Sequence, residues 1–191
     1  MLSLLQTYIS QTLERQLPDV NSLNLDGLPP YQYTPFSDQY SIRLLEIIAT
    51  SSPQIQCRLK TFALHDAPDY DALSYTWGDP RPPLFQSIGS SHYQKKHLVR
   101  CNDRAIYVST NLHDALQRLR HAQHNSSLQG PALQKYIWID ALCIDQQDLP
   151  ERSTQVALME EIYRGAQIVV TWLGNADPYT KPALRLITRL A

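Results

Sequence analysis

The stretch YIWIDALCIDQQDLPERSTQVALMEEIYRGAQIVVTWLG, residues 136–174, decides the fold. Tyr136–Asp140 is unbroken bulk, as expected of a parallel strand buried on both faces. Asp148, Pro150 and Glu151 then open a helix with a capping side chain, a proline in the first turn and a carboxylate three residues on. Val156, Met159, Ile162 and Tyr163 recur at helical spacing as its inward stripe, and Gly165 ends it. Gln167–Leu173 reads as a second buried strand, stopped by Gly174. Strand, helix and strand in that order make a parallel unit.

Working upstream, Ala72–Thr76 is a short strand ending at Gly78 and Pro80. Residues 80–97 read as a loop. Leu98–Cys101 and Ala105–Ser109 flank Asn102–Asp103, a tight hairpin turn. Thr110 or Asn111 caps a helix with the stripe Leu112, Ala115, Leu116 and Leu119. Ser41–Ile48 and Ile55–Thr61 form an antiparallel pair; in the second, Ile55, Cys57 and Leu59 alternate with polar residues. Residues 2–16 carry an amphipathic helical pattern, and 17–39 form a linker with Pro18, Pro29, Pro30 and Pro35. A last helix begins near Asp177–Pro178 or Thr180. The expected organisation is an appendage over 1–39 and one α/β domain over 40–191. A three-stranded parallel core is thin, so the early antiparallel strands should complete the sheet. The chain is also expected to be the N-terminal part of a longer protein.

Composition narrows the function. Seventeen basic and eighteen acidic residues give a net charge of −1, against an electrostatic nucleic-acid binder. Apolar residues are 43% and charged residues 18%, so the chain is not disordered. Three cysteines, none in a CxxC pair, suit a reducing, cytoplasmic setting. No signal peptide, transmembrane run or zinc-ligand spacing is expected, so no metal is. With six glycines there is no phosphate-loop motif either.

In open parallel sheets, ligands bind beyond the strand carboxyl ends, where strand order reverses. That rule selects three loops: Tyr75, Trp77, Gly78 and Asp79; Asp140, Cys143, Asp145, Gln146 and Gln147; and Gly174, Asn175 and Asp177. The helix start at Pro150–Ser153, with Arg152, adds free amides beside the second loop. Plainer roles stand beside these. Asp148 and Glu151 also suit helix caps, Trp77 and Trp138 suit the core, and Cys143 has no histidine partner in sequence.

The pieces IRLLEI, YDALSYTWGDP, STNLHDALQRLR and YIWIDALCIDQQDLPERSTQVALMEEIYRGAQIVVTWLG resemble the fungal heterokaryon incompatibility (HET) domain over roughly residues 40–175. Asp145 stands where that family most often has Asn. The resemblance implies a role in fungal non-self recognition, in which an activated domain triggers cell death. HET domains are also remotely similar to Toll/interleukin-receptor (TIR) domains. That implies a flavodoxin-like, TIR-like parallel core with flanking helices and an additional antiparallel β unit. YDALSY would match the first strand, YIWID the second and QIVVTWL the third.

Some TIR domains cleave NAD, using a glutamate on the helix after the third strand; the segment PYTKPALRLITRL here has none. A carboxylate would have to come from Glu151, Asp140 or Asp79, with Tyr75, Trp77, Gly78, Cys143, Gln146, Arg152 and Gln155 around the ligand. Two functions follow from the resemblance. One is a signalling module that self-associates or binds other cell-death proteins, with no cofactor. The other is a hydrolase with NAD as its substrate.

Overall fold

A computed structural model describes residues 27–78, 95–124 and 132–176, together with Thr180, Pro182 and Arg185. The expected helix at 2–16, most of the 80–97 loop, Asp79 and most of the final helix lie outside the described residues. One seven-stranded mixed sheet organises the rest, in the order β5-β4-β2-β1-β6-β3-β7. Its strands are β1 (Ser41–Ile47), β2 (Gln56–Ala63), β3 (Tyr70–Tyr75), β4 (Lys96–Cys101), β5 (Arg104–Ser109), β6 (Tyr136–Trp138) and β7 (Val169–Trp172). Among the described residues, the α-helices that accompany them are α1 (Thr110–His124), the single turn α2 (Asp140–Cys143) and α3 (Leu149–Gly165).

β1 is the seam of the sheet. It pairs antiparallel with β2 on one side and with β6 on the other. The early hairpin therefore completes the sheet, as expected, and sits inside it rather than beside it. β6, β3 and β7 run parallel, with the first of them in sequence, β3, at the centre. The fold is thus α/β.

Side chains alternate across the sheet, and this places the helices. Tyr70 donates its hydroxyl proton to the Ile162 carbonyl, and Trp138 packs edge-on against Tyr163, so α3 covers that face. Trp172, on the other face, donates to Asn111 at the start of α1. Opposite faces are what right-handed crossovers require when the chain steps first one way and then the other from β3.

Local chemistry explains the elements. β1 is buried along almost its whole length, as a central strand should be. Asn102 and Asp103 both adopt positive φ, 48° and 60°, which a two-residue hairpin turn needs and these residues tolerate. Asn102 also accepts from Leu59 N–H and donates to Leu59 C=O, tying the hairpin to β2.

Four sequence expectations change. Of the expected α3 stripe, Ile162 is buried and Met159 and Tyr163 pack half-buried against the core, but Gln155 and Leu158 are buried as well and Val156 is not. Ser109, not Thr110 or Asn111, accepts the amide of Leu112 at the start of α1. Strand β6 stops at Trp138, and Asp140 already belongs to α2. β7 is an edge strand with exposed residues rather than a buried one.

Candidate functional site

The carboxyl ends of β6, β3 and β7 converge, and hydrogen bonds join them. On the β6 side, Trp77 donates its indole N–H to Asp140 Oδ2 at 2.8 Å. The other oxygen, Oδ1, accepts the Ala141 amide at 2.7 Å. Burial raises the Asp140 carboxyl to about 6, against the pull of both hydrogen bonds. Tyr75 and Tyr163 flank it. Burial, then the Asp140 charge, pushes both phenols above their ordinary value. An acid that changes charge near neutrality, walled by an indole and two phenols, can hold or release a proton at working pH.

On the β7 side, Asn111 joins two strand ends. Its amide donates to the Thr76 carbonyl at 2.6 Å, and its oxygen accepts the Trp172 indole N–H at 2.8 Å. Gly174 takes a φ of 101°, a glycine conformation, and Asn175 beyond it donates to Asp114 of α1.

The second loop is held from beneath. Arg43 of β1 forks onto Glu151, at 2.6 Å to Oε1 and 2.9 Å to Oε2. The same guanidinium donates to the carbonyls of Cys143 and Thr34 and lies 4.0 Å from the Phe36 ring centre. Glu151 Oε1 also accepts the Asp145 amide. The helix cap is Asp148, which accepts the Glu151 amide at 3.0 Å. Gln146 donates to the Asp140 carbonyl, linking the two halves of the loop.

The structure thus brings Tyr75, Trp77, Asp140 and Gln146 together at the strand ends. Glu151 lies just beyond that loop, in the first turn of α3, and its carboxylate faces Arg43. Cys143 is fully buried; its sulfur accepts the Ile139 amide at 3.3 Å, and burial pushes the thiol up to about 12. Gln155 is fully buried, donates to the Ser41 carbonyl, and leaves its Oε1 without a partner among the described residues. Arg152 is half-buried in the first turn of α3, and Gly78 is exposed. Among the described residues, no group of His, Cys, Asp or Glu is placed to hold a metal. A groove of about 270 Å³ lies at the amino end of β3, lined by Tyr40, Leu64, Tyr70, Glu161 and Gly165 among others. It is remote from the strand-end cluster.

Two residues of this site escape the sequence reading. Arg43 carried a signal: a lone cation inside an apolar central strand must find a partner. Asn111 looked like a cap, and nothing local shows that its side chain crosses to β3 and β7.

The family model for heterokaryon incompatibility proteins (HET) matches residues 70–191. The chain is 31% identical over 159 residues to heterokaryon incompatibility protein 6, OR allele, of Neurospora crassa. That alignment covers 82% of this chain and 22% of the relative, so the chain spans about a fifth of the relative's length. No solved structure matches. No helix among the described residues is long and apolar enough to cross a membrane. Matched over more than half its length by the family model and over most of it by the Neurospora protein, this chain belongs to the heterokaryon incompatibility (HET) family.

Proposed function

We propose that this chain is a heterokaryon incompatibility module that triggers cell death on non-self recognition, acting in the cytoplasm by assembly rather than by turnover. The observation that carries the reading is the engagement of Glu151, Cys143 and Gln155, all within the segment 136–174 that resembles the family, in internal contacts. Side chains that hold loops and strands together suit a domain whose output is a shape. Expression of the chain in a fungal host should reduce viability, and the purified chain should self-associate as its concentration rises. Unchanged viability and a monomer at every concentration would remove this reading.

A second reading is favoured by Asp140. In sequence order the parallel strands lie second, first, third, the flavodoxin-like arrangement, which supports a TIR-like core. Asp140 follows the second of them and is bonded to Trp77 in the loop after the first, which borders the point between β3 and β7 where the order reverses. On this reading NAD is the substrate, and the carboxylate stabilises the positive charge that develops as the nicotinamide–ribose bond breaks. Purified chain should then release nicotinamide from NAD. Asp140→Asn should abolish release while the fold persists, and release that survives this change would exclude Asp140.

A further inference from the structure

The two edges of the sheet are treated differently. β5 is capped: Tyr31 N–H donates to the Ala105 carbonyl at 2.7 Å, and Ala105 N–H donates to the Pro29 carbonyl at 2.8 Å. Prolines at 29 and 30 keep further strands from joining there. β7, at the other edge, pairs only with β3 among the described residues. The phase of that ladder follows from Ala72, which lies opposite Val169 and donates its N–H to the Ile168 carbonyl at 2.9 Å. In a parallel ladder this turns the backbone N–H and C=O of Val169 and Thr171 away from β3.

The same segment exposes apolar side chains, Val169 by 46% and Leu173 by 82%. From Gln167 to Asn175 there is neither charge nor proline. Proteins blunt free edges with lysine, proline, bulges or a covering segment, and β7 carries neither lysine nor proline.

We propose that β7 is the surface through which two copies of this chain join, by antiparallel pairing of Val169–Leu173 with the same segment of the second copy. A two-fold contact uses one patch twice, so the patch must complement itself. An uncharged stretch does, because no like charges meet across the pair. Pairing would satisfy the outward amides and carbonyls of Val169 and Thr171 and cover Val169 and Leu173. The proposal rests on the assembly reading above and names its surface.

The test is light scattering on the full chain across a wide concentration range, with hydrogen exchange read at residues 169–173. A concentration-dependent dimer with slowed exchange at Val169 and Thr171 is expected. The exposed double change Val169→Lys with Leu173→Lys should weaken it by about tenfold or more, with an unchanged circular dichroism spectrum. Thr171→Pro, which removes an outward N–H, should do the same. Dimers that survive all three changes overturn the edge proposal and leave assembly standing. A chain that stays monomeric at every concentration overturns both.

Discussion

Arg43 and Glu151 lie 108 residues apart in sequence and meet at 2.6 Å with side chains only 3% and 7% exposed. A strand in the middle of the sheet thereby grips the first turn of the helix that leaves the site.

Removing one member strands the other's charge. Glu151→Ala should destabilise the fold by about 3–5 kcal/mol, more than the loss of a helix cap. The double change Arg43→Met with Glu151→Met should recover much of that, because two apolar groups leave no orphaned ion. Urea unfolding of the single and double variants measures the difference. A Glu151→Ala cost near 1 kcal/mol would assign the residue to capping.

Asp140 should set a pH dependence of opposite sign to an ordinary salt-bridged carboxylate. Its folded value is about 6, against about 4 unfolded, so the native state binds the proton more tightly. The stabilisation is fully present below about pH 4 and is lost as pH rises through about 6. Relative to Asp140→Asn, the natural chain should lose about 2–3 kcal/mol across that window. The Trp77 indole proton resonance should titrate with the same midpoint.

Asn111→Ala should cost about 1–3 kcal/mol, since it orphans the Trp172 indole and the Thr76 carbonyl together. Asn111→Asp should be no better, because it keeps the acceptor but sets a carboxylate against the Thr76 oxygen. Faster exchange of the Trp172 indole proton would accompany either change.

The thiols should be inert in the native state. Cys57, Cys101 and Cys143 are all buried. Alkylation should require unfolding, and Cys143→Ala should leave any activity intact. Fast labelling of native Cys143 would contradict its enclosure.

Gly165→Ala should destabilise by about 1–3 kcal/mol, because the new methyl group would lie 2.9 Å from the Tyr70 hydroxyl oxygen. Tyr70→Phe removes that oxygen, so the double variant should cost less than the sum of the two single changes.

The α/β alternation, the hairpin and most strand limits were legible because each depends on local pattern: period two, period 3.6 and turn residues. The position of β7 was not. Its run Ile168–Leu173 is as apolar as a buried strand, and periodicity cannot say whether a neighbour lies beyond it. The stripe of α3 was only partly legible because Gln155 is polar yet buried, its amide donating to the Ser41 carbonyl. Gly165 does close α3, as expected, but without a left-handed cap: Ala166 has an ordinary φ of −70°, and the Tyr70 hydroxyl lies close to where a side chain would begin. Asp140, Trp77 and Tyr75 were picked out by the strand-end rule alone, whereas Arg43 and Asn111 act through contacts that only the folded chain brings together.

The seam strand also dictates when this protein becomes a protein. β1 leaves the ribosome early and can pair at once with β2, but its other neighbour, β6, is translated only after β3, the hairpin and α1. Until then one flank of a strand destined for almost complete burial stays open, and Arg43 waits for a carboxylate not yet made. The nascent chain is therefore most prone to mispairing between the emergence of β2 and that of α3, and holdase chaperones should engage it in that interval.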